Sequence, residues 1–185
     1  MNCSFNIDNN DFINDAEMFK SYVSQLPKGK FFTVDVTNET GLTESLAKAI
    51  TEGNKVLELL NDNGFDIAES HSLIQFAISL NDEYFPSIAK VRALKTLWQQ
   101  VLTAWNSDLK IVSNIEVHLT ENAQSEDENY NKIKATTQAM SAVIGGANRL
   151  YIYPSDSFKH KKRNNFFSQN CLKCPAFIAT RKLFG

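Results

Sequence analysis

The chain predicts an α/β fold in which strands and helices alternate around a parallel sheet. Three observations carry this expectation. Short β-branched and aromatic runs alternate with longer stretches of helical periodicity. The connections between them are short. One run, Leu73 to Leu80, is almost continuously apolar, the character of a strand covered on both faces, as parallel sheets require.

The elements follow in order. Asp11 to Ser24 reads as a helix, with Phe12, Ala16, Phe19, Tyr22 and Val23 on one face and Pro27 just beyond. Lys30 to Val36 suits a strand. Leu42 to Asn63 is helical, with Leu42, Leu46, Ala49, Ile50, Val56, Leu57 and Leu60 along one side and Gly64 as its C-terminal cap. The strand Leu73–Leu80 leads into a helix from Tyr84 to Trp105. Its apolar stripe includes Phe85, Ile88, Ala89, Leu94, Leu97, Trp98 and Leu102. Ile115 to Thr120 is the next strand. Ser125 at the N-cap and Glu128 three residues later form a capping box that opens a helix running to about Val143. Gly145-Gly146 stops it, and Arg149 to Tyr153 is the last strand before Pro154. Four such units do not close a (β/α)8 barrel, so the expectation is half a barrel or a small open α/β sheet.

Composition narrows the class. The 185 residues are 43% hydrophobic and 22% charged, with a net charge of −2, which suits one globular domain and gives no global pull toward nucleic acid. No apolar run is long enough for a membrane span, and Met1 to Asn14 lacks the pattern of a secretory signal. A cytoplasmic protein is expected. The chain divides into residues 1–29, a helix and lead-in; 30–158, the α/β domain; and 159–185, a basic tail without acidic residues. The tail interleaves Phe166 and Phe167 with basic residues but carries no RNA-binding motif, and a solvated or poorly ordered end is expected. Of the three cysteines, Cys171 and Cys174 form a C-x-x-C pair with no second pair to complete a zinc site, which reads as two reduced thiols.

Several motifs occur together in order. They are Asn38-Glu39-Thr40-Gly41; Ile74-Gln75-Phe76; Tyr84-Phe85-x-x-Ile88-Ala89-Lys90-x-Arg92-Ala93 with Trp98; Tyr130-Asn131; Thr136-Thr137-x-Ala139-Met140-Ser141-Ala142-Val143-x-Gly145-Gly146-Ala147; and Pro154-x-Asp156. From about Phe31 to Phe158 the chain thereby resembles the cobalamin-dependent acyl-CoA mutases, above all the methylmalonyl-CoA mutase family and its small, non-catalytic subunits. The resemblance implies the C-terminal half of a (β/α)8 barrel. It implies an isomerase that interconverts methylmalonyl-CoA and succinyl-CoA, with adenosylcobalamin in the holoenzyme and a large catalytic subunit as partner. The small subunits are far longer than this chain, which leaves a fragment, a truncated reading frame and a shrunken relative open.

The resemblance also implies losses. Where catalytic chains of the family place a Tyr-His pair, this chain aligns Asp35 and Val36, and Val36 cannot donate a hydrogen bond to a thioester carbonyl. Leu73 and Gln75 stand where an Arg and a Ser hold the CoA tail, and Leu73 cannot pair with a phosphate. No Asp-x-His-x-x-Gly motif surrounds His71, His118 or His160, so no cobalamin ligation by that mode and no catalytic residue is expected in this chain alone. A structural role with a large subunit or by self-association is one reading. A domain that binds an acyl-CoA or another small ligand is the other. It would use donors at the C-terminal strand ends: Asp35, Asn38, Asn81, His118, Thr120 and Asp156, with Thr37, Ser79 and Ser155 beside them. Lys90 and Arg92 read as a solvated helix flank with buried stems, His118 as a hydrogen-bonded core or rim residue, and Trp98 and Trp105 as core or interface anchors.

Overall fold

A computed structural model describes residues 16–26, 28–39, 41–105, 113–119, 125 and 127–155. The expected positions Thr120 and Asp156, the C-x-x-C pair and the basic tail lie outside the described residues, as do residues 11–15 of the expected first helix.

The described residues form helix α1 (Ala16–Gln25), strand β1 (Phe32–Val36), α2 (Leu42–Asp62), α3 (Ile67–Leu73), β2 (Ile74–Leu80), α4 (Tyr84–Trp105), β3 (Ile115–Leu119), α5 (Glu128–Gly145) and β4 (Arg149–Tyr151). The sheet has the order β1-β2-β3-β4 and every pair is parallel, as expected. Helix α2 packs on α4 and α4 on α5, so the long crossover helices form one layer.

Side chains alternate across each strand. Phe32, Val34 and Val36 of β1, Phe76 and Ile78 of β2, and Ile115, Val117 and Leu119 of β3 are buried and build the core. Trp98 of α4 is fully buried at its centre, with its ring edge-on to Phe76 at 4.8 Å. Its indole N–H donates to Nδ1 of His71 at 3.0 Å, which gives the polar end of the largest core side chain a partner. Trp105 is half-buried and donates to Asn54 Oδ1 at 2.9 Å. Phe19 anchors α1, with ring centroids 5.2 Å from Phe31, 5.6 Å from Phe32 and 5.7 Å from Phe65.

Helix ends follow backbone chemistry. Gly64 (φ 78°) and Gly146 (φ 89°) adopt the left-handed conformation that ends α2 and α5, as the sequence suggests.

Four local expectations need correction. Helix α3 is absent from the sequence reading. Asp66 caps this short helix by accepting from Ala68 N at 3.3 Å, in the stretch between Gly64 and Leu73 that the sequence reading assigned to no element. The N-cap of α5 is Asp127, not Ser125, because the Asp127 carboxylate accepts from Asn129 N at 2.9 Å and Tyr130 N at 3.4 Å. Ser125 lies outside that helix and its backbone N–H donates to Asn131 Oδ1 at 2.8 Å. The inward stripe of α4 runs through Ser87, Lys90, Val91, Leu94, Trp98 and Leu102, whereas Phe85 is 77% exposed. Lys90 is therefore no solvated flank: its ammonium lies in the interior and donates to the carbonyl of Ser79 at 2.9 Å.

Candidate functional site on the polar face of the sheet

The strands leave a second, polar row opposite the apolar one. It comprises Thr33 and Asp35 of β1, Gln75, Ala77 and Ser79 of β2, Glu116 and His118 of β3, and Arg149 and Tyr151 of β4. Pairing register sets them side by side. Thr33 is opposite Gln75, Asp35 opposite Ala77, Ala77 opposite Glu116 and Glu116 opposite Arg149. One row further along, Ser79, His118 and Tyr151 align.

The polar groups satisfy one another across the sheet. Gln75 Nε2 donates to Thr33 Oγ1 at 2.9 Å, and its Oε1 accepts from Arg149 at 3.2 Å and from Asn114 at 3.4 Å. Glu116 accepts from His118 Nε2 at 2.8 Å and lies 3.8 Å from the Arg149 guanidinium. The hydrogen bond from His118, reinforced by its charge and that of Arg149, holds the Glu116 carboxyl below the usual carboxylate range despite its partial burial. The His118 ring leans on Tyr151 at 5.2 Å, and Tyr151 on Tyr153 at 5.0 Å. Lys30 donates to the Ser72 carbonyl, and burial, with Arg149 nearby, pushes its ammonium pKa down.

The expected strand-end donors are distributed differently. Asp35 is exposed but turned back on its own chain, where it accepts from Thr37 N at 2.9 Å and Thr37 Oγ1 at 2.7 Å, a local turn bond. Asn38 and Asn81 are exposed at the ends of β1 and β2, and the Asn81 carbonyl accepts from Ser87 Oγ at 3.2 Å. Ser79 is buried, and the Ser155 carbonyl accepts from the buried Asn131 amide at 2.9 Å. Among the expected residues that are described, Asp35 and Thr37 bond side chain to side chain, and His118 finds its partner in Glu116. The residues that organise the face are Thr33, Gln75, Glu116 and Arg149, which sequence reasoning did not select as candidates. The available signal was period-two polarity: Glu116 and His118 alternate with Ile115, Val117 and Leu119, marking one wet side.

Two loops are strapped beside this face. Asp82, after β2, accepts from Gln138 Nε2 at 2.8 Å and pairs with Lys134, both on α5. Asn131 donates to the Ser125 carbonyl at 2.8 Å as well as to Ser155, tying the segment before α5 to the one after β4.

Sequence comparison places this architecture. The model of the family described as methylmalonyl-CoA mutase matches residues 17–161. The chain belongs to the methylmalonyl-CoA mutase family. Within it the chain is similar to the methylmalonyl-CoA mutase small subunit of Porphyromonas gingivalis, 29% identical over 140 residues that cover 71% of this chain and 23% of that protein. It is similar to the probable small subunit of Mycobacterium bovis, 27% identical over 68% of this chain and 20% of the relative. It also matches the methylmalonyl-CoA mutase of Rhizobium meliloti, 23% identical over 74% of this chain and 20% of the relative. The chain thus spans about a fifth of the length of these mutases. Among the described residues no helix is long and apolar enough to cross a membrane.

Against the mutase alignment, Val36 is 1% exposed and Leu73 3%, both in the core rather than on the polar face. His71 is buried, and its Nδ1 accepts the Trp98 indole N–H inside the core. His118 is engaged by Glu116. No group of three or more metal-ligating side chains occurs among the described residues.

Proposed function

We propose that this chain is a structural, assembly part of a methylmalonyl-CoA mutase small subunit, contributing a section of its (β/α)8 barrel rather than catalytic groups. In this reading it supports an isomerase that interconverts methylmalonyl-CoA and succinyl-CoA in the cytoplasm. A large catalytic subunit is its partner, and adenosylcobalamin belongs to the holoenzyme. The carrying observation is the closed bonding of the polar face. Gln75 bonds to Thr33 and Arg149, and Glu116 bonds to His118 with the Arg149 guanidinium 3.8 Å away. A site built to stabilise a reacting acyl group keeps donors aimed at the substrate, whereas a mutually bonded row rigidifies a scaffold. The small-subunit relatives support the same direction.

A second reading, an acyl-CoA or small-ligand binding domain, rests on two neighbouring cations, Lys30 and Arg149, beside this row. Titration calorimetry and thermal shift with methylmalonyl-CoA, succinyl-CoA and CoA separate the two. The structural reading expects no heat and no shift at millimolar ligand, and co-purification when the chain is co-expressed with a large mutase subunit. Saturable binding to the isolated chain would replace it with the second reading. Failure to co-purify with any large subunit would remove the assembly role.

A further inference from the structure

The bond between Trp98 and His71 constrains more than packing. Trp98 is fully buried, His71 is 5% exposed, and the indole N–H donates to Nδ1 of the imidazole at 3.0 Å. Because Nδ1 accepts, the ring is neutral and carries its proton on Nε2. A second proton would have to enter at Nδ1, where it would face the indole N–H. The bond would be lost, two donors would oppose each other, and a charge would stand in the core. The indole has little room to turn away. It lies edge-on to Phe76 at 4.8 Å, and at Gly53 even a Cβ would come within 2.8 Å of it.

His71 also stands where four elements meet. Helix α3 runs directly into β2, and the Ile74 N–H donates to the His71 carbonyl. Just ahead of β1, Phe31 N donates to the Leu73 carbonyl at 2.8 Å, and Lys30 donates to the Ser72 carbonyl. Trp98 adds the middle of α4. The charged groups on these elements and on α2 have other engagements. On α3, Asp66 caps the helix and Glu69 is exposed. On α2, Glu52 pairs with Lys55 in solvent and Glu58 accepts from Asn54. On α4, Arg92 and Lys95 reach the carbonyls of Ile144 and Gly146. Strand β2 carries no charged residue. Lys30 is the cation at the junction, so a proton on His71 would add a second positive charge there.

We propose that His71 is an acid-released latch: neutral, it ties the α3–β2 junction to α4 through Trp98, and protonation releases that tie. The inference is independent of the proposed function, since no residue of the polar face takes part. The sign follows from linkage. In the unfolded chain the imidazole takes up a proton below about pH 6.5. In the folded chain it does not while the Trp98 bond is intact. The unfolded state therefore binds more protons below that pH, so the stabilisation is complete above it and is lost as the pH falls.

Urea unfolding of the full chain between about pH 8 and pH 5, for wild type and His71→Asn, tests it. The Asn Oδ1 can accept from the indole at the place of Nδ1 but does not titrate. Below about pH 6.5 the unfolding constant of wild type should rise about tenfold per pH unit more steeply than that of the variant. Comparing slopes cancels both the contributions of the other titrating groups and the cost of the smaller side chain. A second measurement needs no variant. In nitrogen-15 spectra of wild type, His71 Nδ1 should stay an unprotonated acceptor, and the Trp98 indole proton should stay bonded, down to the pH at which the chain unfolds. Equal slopes overturn the proposal. So does a folded protein in which His71 takes up its second proton near pH 6.5 with the Trp98 indole signal unchanged.

Discussion

Gly53 sits in the middle of α2, where intrinsic propensity favours alanine by about 1 kcal/mol. An exposed helix would therefore be stabilised by Gly53→Ala. The packing predicts the reverse. A Cβ at this position would lie 2.8 Å from Trp98 Cζ3, 3.0 Å from Cη2 and 3.1 Å from Phe76 Cε1. None of these atoms ends a flexible side chain. Both rings are essentially fully buried, and Trp98 is tethered by its indole N–H to His71. Separating α2 from α4 by a few tenths of an ångström would strain the helix layer, and overpacking of this kind costs about 1–3 kcal/mol. Subtracting the propensity gain leaves a net loss of about 0–2 kcal/mol. Urea unfolding of both proteins, with equal m-values as the check on two-state behaviour, measures it. The penalty should shrink in a Trp98→Phe background, because the clashing ring atoms are then gone, so a double-mutant cycle should show coupling. A stabilised Gly53→Ala, or a penalty that is unchanged by Trp98→Phe, would refute the packing argument.

Two further outcomes are expected. Asp127→Ala removes the side-chain cap of α5 and should cost about 1 kcal/mol in urea unfolding, more than Ser125→Ala; a larger loss from Ser125→Ala would reverse the assignment. Burial lowers the Lys90 pKa from its ordinary value near 10.5, so the unfolded chain holds this proton more tightly than the folded one. The contribution of Lys90 to stability therefore rises with pH between its folded value and its unfolded one. The stability difference between wild type and Lys90→Met should accordingly shift in favour of wild type as pH rises toward about 10.5; a pH-independent difference would place the ammonium in water.

How much was legible depended on whether the signal was local. Alternation of strands and helices, the parallel sheet, and the terminations at Gly64 and Gly146 follow from period, propensity and backbone freedom, which neighbouring residues express. Asp66 and Asp127 as caps were missed because several polar residues compete near each helix start, and only backbone geometry selects one. The face of α4 was misplaced because a buried Lys90 and an exposed Phe85 both invert the polarity on which the periodicity argument depends.

By itself, then, the sequence determined the α/β class, the order of its elements and, through motifs in register, the mutase family. Only the tertiary structure decided what the polar residues do. Gln75, Glu116 and Arg149 lie far apart along the chain and meet through the register of strands β2, β3 and β4. No sequence spacing encodes that meeting, because parallel neighbours are joined only through helices that cross back over the sheet. The same is true of Val36 and Leu73. The resemblance implied that they stand where the family's working groups sit, and the fold places both in the core.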